Sequence, residues 1–177
     1  MANQGEYTKA EKYFKHCIKL NRTSIPAHFG LGKIYLEFEN LSEALKHFKF
    51  VIENDPQHYK AYAQIGIIYL EKQDLENAAG YLKKCLSLNS KYVTGMVAMG
   101  NLMFESGHAE NASKYFQQCL VYSPNEVQAL IGLANAKYDL GDLDGAIATY
   151  QKVLELDSEI SDVYYNLANA LYIKKDL

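Results

Sequence analysis

The chain has 177 residues, a net charge of −3 and apolar side chains at 49% of its positions. This small charge of mixed signs argues against a nucleic-acid partner, because neutralising phosphates requires a stripe of basic side chains. The longest uncharged stretch, 92–104, is too short to span a bilayer, and the N-terminal residues contain no apolar segment of signal-peptide type. We therefore expect a cytoplasmic or nuclear protein that binds neither nucleic acid nor membrane.

A fixed period runs through the whole sequence. Steps of 34 residues back from Ala146 meet an alanine every time, and the residue four positions later is aromatic or leucine every time. The alanines are Ala10, Ala44, Ala78, Ala112 and Ala146, and the residues that follow them are Phe14, Phe48, Leu82, Phe116 and Tyr150. Repetition at this length is typical of a solenoid, in which each unit buries its apolar face only against its neighbours.

The second copy of the repeat carries a recognisable motif. Its residues are Tyr62, Ile65, Gly66, Tyr69, Ala78 and Leu82, which resemble the pattern W-x2-L-G-x2-Y followed by A-x3-F of the tetratricopeptide repeat. The family's tryptophan position departs from the pattern in every copy and holds His28, Tyr62, Met96, Leu130 and Tyr164. The resemblance covers nearly the whole chain and implies an all-α fold, a right-handed α-solenoid of antiparallel helix pairs with about ten helices.

The repeat phase predicts a single array over 1–177. Each full repeat contains a helix A followed by a helix B. We expect a half repeat with only helix B at 5–22, full repeats at 25–56, 59–90, 93–124 and 127–158, and a half repeat with only helix A at 161–177. The first and last helices are predicted at 7–20 and 162–174. Asn40, Asp74 and Asp142 are expected to cap B helices, and Glu43 should complete a capping box with Asn40.

The three cysteines occupy one repeat position. Cys17, Cys85 and Cys119 stand where the other copies carry Val51 and Val153. A position that accepts Cys or Val favours a small apolar side chain packed against a neighbouring helix, and free cysteine packs in this way. Cysteines one or two repeats apart are also too distant for a disulfide. We therefore predict that all three are structural thiols.

No signature of catalysis is found. The sequence has no glycine-rich phosphate loop, no paired-cysteine or HExxH metal spacing and no GxSxG elbow. The five histidines fall at five different repeat positions: His16, His28, His47, His58 and His108. An acidic row repeats every 34 residues at Glu37, Glu71, Glu105 and Asp139, and helix spacing places these carboxylates too far apart to share a proton. We expect a protein that is not an enzyme and has no cofactor or metal.

The resemblance also implies a binding groove. In the tetratricopeptide family the A helices line a concave groove with the second, fifth, ninth, twelfth and thirteenth positions of each repeat. Carried over by position, the candidate peptide-binding residues are Phe29, Lys33, Leu36, Ile67, Leu70, Asn101, Phe104, Ile131, Asn135, Tyr138, Tyr165, Asn169 and Tyr172. Three asparagines in the ninth row, Asn101, Asn135 and Asn169, predict an amide ladder, since an amide can bond both groups of a peptide bond.

Three functions remain open at this stage. The first is a non-catalytic scaffold that binds an extended or helical peptide with apolar anchors and some basic residues. The second is the substrate-selecting arm of a larger enzyme, because the asparagine rows resemble those of O-linked N-acetylglucosamine transferases. The third is a structural array in which incomplete terminal repeats associate head to tail. The carboxylate clamp of chaperone-binding members is not expected. That clamp needs a lysine at the fifth position of the repeat, and the five copies here carry Phe29, Ala63, Val97, Ile131 and Tyr165 at that position.

Overall fold

The computed structural model describes residues 4–175, and these residues form ten α-helices and no β-strand. The helices are α1 Gln4–Leu20, α2 Ile25–Glu37, α3 Leu41–Asn54, α4 Tyr59–Glu71, α5 Leu75–Leu88, α6 Val93–Glu105, α7 Ala109–Tyr122, α8 Val127–Asp139, α9 Leu143–Leu156 and α10 Ser161–Lys175. The all-α prediction is confirmed. The predicted bounds of the first helix differ most, since α1 begins three residues before the expected Tyr7.

The helices belong to two compact units, whose described parts are 4–89 and 90–175. In the first unit α2 pairs with α3 and α4 with α5, while α1 packs on α2 and α3 on α4. In the second unit α6 pairs with α7 and α8 with α9, while α7 packs on α8 and α10 on α9. Each unit thus consists of two full A–B pairs and one further helix.

All four turns within the A–B pairs share one hydrogen-bond pattern. In the first, the N–H of Asn40 donates to the Tyr35 carbonyl at 2.8 Å and the N–H of Glu39 donates to the Leu36 carbonyl at 2.9 Å. This pair of bonds is a Schellman motif, which requires a left-handed residue at its bend. The bend residues are Glu39, Gln73, Gly107 and Gly141, with φ of 56°, 58°, 76° and 80°.

The same turns also cap the B helices. The side chains of Asn40, Asp74 and Asp142 accept hydrogen bonds from backbone N–H groups three residues later. The capping box predicted for Asn40 and Glu43 is only half formed. Its second bond would need the N–H of Asn40, which is already donated to the Tyr35 carbonyl of the Schellman motif. The Glu43 carboxylate instead lies 3.6 Å from the Lys46 ammonium.

Close contacts between helices depend on small residues, as expected. Ala44, Ala78, Ala112 and Ala146 are all fully buried. A Cβ atom added to Gly66 would lie 2.6 Å from Cγ of Leu82, so the A and B helices pack too closely there for a larger residue. The equivalent glycines, Gly32 and Gly100, meet the rings of Phe48 and Phe116 in the same way. The repeat phase therefore places equivalent residues in equivalent surroundings.

The prediction for the cysteines is correct for two of the three. Cys85 and Cys119 are buried free thiols, and burial raises the pKa of each to about 11. Cys17 is exposed. The reason is that Cys17 lies on α1, which has no A-helix partner of its own repeat among residues 4–175. Its thiol lies 3.5 Å from the Ser24 hydroxyl.

Among the described helices, none combines the length and the apolar character needed to cross a membrane.

Candidate functional site

The second unit contains a pocket lined mainly by amides and aromatic rings. Its volume is about 240 Å³. The lining residues come from four helices of this unit and are Phe104, Asn135, Tyr138, Asp139, Tyr150, Asn166 and Asn169. We call this cavity the amide pocket. It combines hydrogen-bonding groups with apolar walls, which is the usual composition of a recognition site.

Three of the residues that line the amide pocket form a hydrogen-bonded triad. The hydroxyl of Tyr150 donates to Oδ1 of Asn135 at 2.6 Å, and Nδ2 of Asn166 donates to the same oxygen at 3.3 Å. These bonds join α8, α9 and α10 through one side-chain carbonyl. Asn135 therefore has a structural role as well as a place in the pocket wall.

Tyr150 needs this partner because it is buried in the core. Its side chain is only 1% exposed, and an unpaired hydroxyl at such a position would be costly. Burial raises the pKa of Tyr150 to about 12, with smaller contributions from the charge of Asp139 and from Tyr138. The phenol therefore stays protonated near neutral pH and acts as a hydrogen-bond donor to Asn135.

The structure brings only some of the predicted groove residues of the second unit together. Asn135, Asn169, Phe104 and Tyr138 all line the amide pocket. Asn101 is exposed and is not among the lining residues. The three asparagines of the predicted ladder thus have different surroundings. The remaining candidates are Ile131, which is half-buried against the core around Leu130 and Tyr150, and Tyr165 and Tyr172, which are exposed on α10.

The candidates of the first unit are less accessible. Phe29 and Leu36 are half-buried and pack against the core around Phe48. Ile67 is half-buried, Leu70 is buried at 7% exposure and Lys33 is exposed. These five candidates include no asparagine or glutamine. They are four apolar side chains and one cation, Lys33.

Two pocket residues were missed by the repeat-position argument. Asn166 stands where two other copies carry Gly132 and Gly30. Tyr150 stands where the four other copies carry phenylalanine or leucine. Gly132 and Gly30 contact the rings of Phe116 and Phe14. One repeat after Phe116 and Gly132, the ring is that of Tyr150, which has a hydroxyl, and the glycine is replaced by Asn166. The paired departure of these two positions from the repeat is the signal that could have identified them.

The first unit contains a different polar pair, in which His28 is buried and His47 is half-buried. Nδ1 of His28 lies 2.9 Å from Nδ1 of His47, and Nε2 of His28 lies 3.2 Å from the Arg22 carbonyl. A carbonyl can only accept, so Nε2 of His28 carries a proton and its Nδ1 accepts from Nδ1–H of His47. The His28 ring also stacks on Phe50, with ring centroids 3.7 Å apart. Burial lowers the pKa of both histidines, and the neighbouring His28 lowers that of His47 further.

Within residues 4–175, no three His, Cys, Asp or Glu side chains are grouped so as to hold a metal ion.

Solved structures with the same fold support the repeat assignment. A thermophilic TPR protein of Thermus thermophilus is similar at a TM-score of 0.76 and 24% identity, over 95% of this chain and 92% of its own. YrrB, a TPR protein with an unusual peptide-binding site, is similar at 0.73 and 20% identity, over 92% and 84%. PilF of Pseudomonas aeruginosa is similar at 0.78 and 19% identity, over 86% and 69%. At these identities the likeness concerns the fold.

Family models match most of the sequence, whereas none of the curated proteins compared with it matches significantly. Tetratricopeptide repeat models match residues 2–65 and 59–92, and a TPR repeat model matches residues 134–174. These matches agree with the helix pairs, the buried alanine row and the shared turns. The chain is therefore a member of the tetratricopeptide repeat family.

Proposed function

We propose that the chain is a non-catalytic protein-interaction scaffold that holds a peptide segment of a partner on the A helices of residues 90–175. The observation that carries this proposal is the amide pocket, in which hydrogen-bonding side chains and aromatic rings meet at the surface of one unit. A peptide backbone offers donors and acceptors that an amide side chain matches. YrrB, which shares the fold, has a peptide-binding site.

Exposed aromatic residues beside the pocket support the proposal. Tyr165 and Tyr172 on α10 are 69% and 72% exposed. Tyrosine supplies a large apolar contact and a polar hydroxyl at a low cost in side-chain entropy, which explains its enrichment in binding surfaces. A peptide anchored in the amide pocket would therefore find apolar contacts along α10.

The first unit offers its own, weaker candidate surface. Lys33 is exposed, and Phe29, Leu36 and Ile67 are half-buried. These side chains would contribute apolar contact area and one charge-assisted hydrogen bond to a partner. We expect them to add less to affinity than the amide pocket.

The proposal is tested by selecting peptides from a displayed random library against the protein and measuring their affinities by fluorescence anisotropy. Asn169→Ala and Tyr172→Ala should each weaken the selected peptides several-fold, because truncating an interface anchor typically costs about 1–2 kcal/mol. Asn169 is a sharper probe than Asn135, since Asn135 also supports Tyr150.

The matched control for this experiment is Tyr13→Ala. Tyr13 is 74% exposed, like Tyr172, but lies on α1 of the first unit. Its removal should leave affinity unchanged. Selected peptides that lose affinity only with Tyr13→Ala, or with none of the three variants, would place the binding surface elsewhere.

A second candidate function is head-to-tail association, and the terminal helices favour it. Tyr164 on α10 is 50% exposed, whereas its equivalent Leu130 is 3% exposed inside a complete pair. On α1, Cys17 is exposed although its equivalents Cys85 and Cys119 are buried. Helix α10 is an A helix and α1 is a B helix, so α1 of a second copy could complete the pair that α10 begins.

Sedimentation over a range of concentrations tests this association. The average mass should rise with concentration for the wild type. Ala168→Glu and Cys17→Glu should each abolish the rise, because each places a charge in the proposed contact. A mass that stays that of one chain at the highest concentration would refute self-association and leave the peptide-binding proposal untouched.

A further inference from the structure

The amide pocket has a charge that its geometry leaves uncompensated. Asp139 is the one charged residue among its lining side chains. Two lysines of the lining helices are engaged elsewhere. Lys137 lies 4.0 Å from the Asp142 carboxylate, with its ammonium directed also at the Gly145 carbonyl, and Lys174 forms an ion pair with Asp144. None of the ion pairs found in residues 4–175 includes Asp139. The pocket therefore presents negative potential to a ligand.

The hydrogen-bonding groups left open include acceptors on three of the lining residues. Oδ1 of Asn135 is occupied, because it accepts from both Tyr150 and Asn166. Asn166 uses one N–H of Nδ2 in that bond, so its Oδ1 and its second N–H remain for a ligand. The Asp139 carboxylate and the carbonyl of Asn169 add further acceptors. A ligand with several donors and a positive charge would satisfy these acceptors and the Asp139 charge together.

The aromatic side chains of the pocket indicate which kind of cation it binds. Phe104 and Tyr138 line the same cavity. A guanidinium is planar and weakly hydrated, stacks on aromatic faces and carries five N–H donors, whereas an ammonium is a compact, strongly hydrated charge with three. The combination of one carboxylate, amide carbonyls and aromatic walls suits the guanidinium better.

The size of the cavity limits what can enter. Pockets that hold whole drug-sized ligands typically measure about 300–1,000 Å³. The amide pocket, at about 240 Å³, is smaller than that range. It is therefore suited to a single side chain of a larger partner.

From these observations we propose that the amide pocket binds an arginine side chain of the partner, with the guanidinium held by Asp139 and the carbonyls of Asn166 and Asn169 between the aromatic walls. This inference deepens the proposed function and rests on it, because it names the side chain that a bound peptide inserts. Arginine acts here as the specificity-determining residue of the partner.

The experiment uses single amino-acid probes, so that it does not depend on knowing the peptide. Blocked arginine, N-acetyl-arginine N-methylamide, is titrated into the ¹⁵N-labelled protein, and the side-chain amide signals of Asn135, Asn166 and Asn169 are followed by NMR. Blocked citrulline has nearly the same shape without the charge, and blocked lysine has the charge without the planar fork. Arginine should shift the three amide signals saturably, with an affinity about tenfold above that of citrulline, since a charge-assisted hydrogen bond is about twice as strong as a neutral one.

A conservative variant tests the role of the carboxylate. Asp139→Asn keeps the size of an exposed side chain, so the fold should be retained. It should reduce the affinity for arginine about tenfold and leave the affinity for citrulline unchanged. The matched control is Glu155→Gln, which removes an exposed carboxylate of the same unit outside the pocket and should leave both affinities unchanged.

Three results would overturn the assignment: equal affinities for arginine and citrulline, equal affinities for arginine and lysine, or an arginine affinity that survives Asp139→Asn. Each of these leaves the scaffold function standing, provided that the selected peptides still lose affinity with Asn169→Ala and Tyr172→Ala. The scaffold function would fail by a different result, namely selected peptides whose affinity changes with neither of those substitutions.

Discussion

The two units use the same frame of helix pairs but bend their turns with different residues. In residues 4–89 the left-handed position of the Schellman turn is occupied by Glu39 and Gln73, whereas in residues 90–175 it is occupied by Gly107 and Gly141. The hydrogen bonds of the four turns are the same. The comparison teaches that the backbone pattern is required by the repeat, while the residue that supplies it is free to vary at a cost in strain.

The units also bury different polar groups in equivalent frames. The first buries His28 against the half-buried His47, and the second buries Tyr150 with Asn135 as its acceptor. His28 and His47 occupy repeat positions that hold Leu130 and Thr149 in the second unit. The polar residue at a given repeat position therefore differs from copy to copy, and each one has its own hydrogen-bond partner.

The largest expected effect tests whether the frames are equivalent. Ala44→Glu and Ala112→Glu each bury a carboxylate without a partner at a fully buried position of one unit. Each should lower the free energy of unfolding by roughly 3–5 kcal/mol, measured by chemical denaturation. Asn111→Glu, at the exposed position beside Ala112, is the control and should cost less than about 0.5 kcal/mol. Costs that differ widely between the two alanines would break the equivalence of the units.

The second prediction concerns the polar group of residues 90–175. Asn135→Ala removes the acceptor of the buried Tyr150 hydroxyl, which should cost about 1–3 kcal/mol. Tyr150→Phe removes the hydroxyl and with it the need for an acceptor, so this variant should lose less stability than Asn135→Ala. In the double variant the loss should be smaller than the sum of the two single losses, because the residues share one bond. Strict additivity in thermal or chemical unfolding would mean that this bond contributes nothing to stability.

The sequence was sufficient to predict the helix pairs but not the lining of the amide pocket, and individual residues explain the difference. The alanine row recurs at a fixed step because every copy needs the same close contact, so five copies in one chain identify it. Asn135 and Asn101 share a repeat position, yet only Asn135 faces a buried tyrosine hydroxyl. Whether a groove amide is a surface donor or a core acceptor thus depends on a residue 15 positions away in another helix, and the repeat position carries no information about that residue.

The capping box at Asn40 failed for a related reason. The sequence motif is present, but the N–H of Asn40 that the capping box needs donates to the Tyr35 carbonyl in the Schellman motif. The two motifs overlap because the turns of this chain are so short that the end of one helix supplies the cap of the next. Competition of this kind is visible only when both helix ends are considered together.

The third prediction tests the difference between the turns directly. Glu39→Gly should raise the stability of the protein by up to about 1 kcal/mol, because glycine adopts positive φ without strain, although it loses more backbone entropy on folding. Gly107→Ala should lower stability by about 1–2 kcal/mol, since it places a Cβ in the left-handed region. A Cβ at Gly107 meets no atom within 4 Å, so any loss reports backbone strain alone.

The control for the turn experiment is Gly80→Ala. Gly80 is exposed within α5, and a Cβ there also meets nothing within 4 Å. Alanine should be favoured at this position by about 1 kcal/mol, because it is the better helix former. Opposite signs for Gly80→Ala and Gly107→Ala would confirm that conformation decides the outcome. A stabilising Gly107→Ala would contradict the strain difference between the units.

The smallest expected effect is the pH dependence of residues 4–89. Burial lowers the pKa of His28 and His47 below that of an exposed histidine, about 6.5. The unfolded chain therefore binds protons first as the pH falls. The stability that depends on the neutral pair is fully present above about pH 6.5 and is lost as the pH falls from there through the lower folded-state pKa. Glu43 opposes the lowering for His47, whereas Lys46 and Lys15 add to it.

A double variant isolates the histidine pair from other acid effects. His28→Met and His47→Tyr introduce residues that other copies carry at these positions, as Met96 and Tyr81 do, so packing should be retained. Hydrogen exchange of the α2 and α3 amides should accelerate on acidification from about pH 7.5 to about pH 5.5 beyond its intrinsic pH dependence in the wild type but not in the double variant. His108→Gln, an exposed histidine of the second unit, is the control and should behave as the wild type. If the double variant loses protection on acidification as the wild type does, the pair is not the source, and the contrast between the buried polar groups has no consequence for pH.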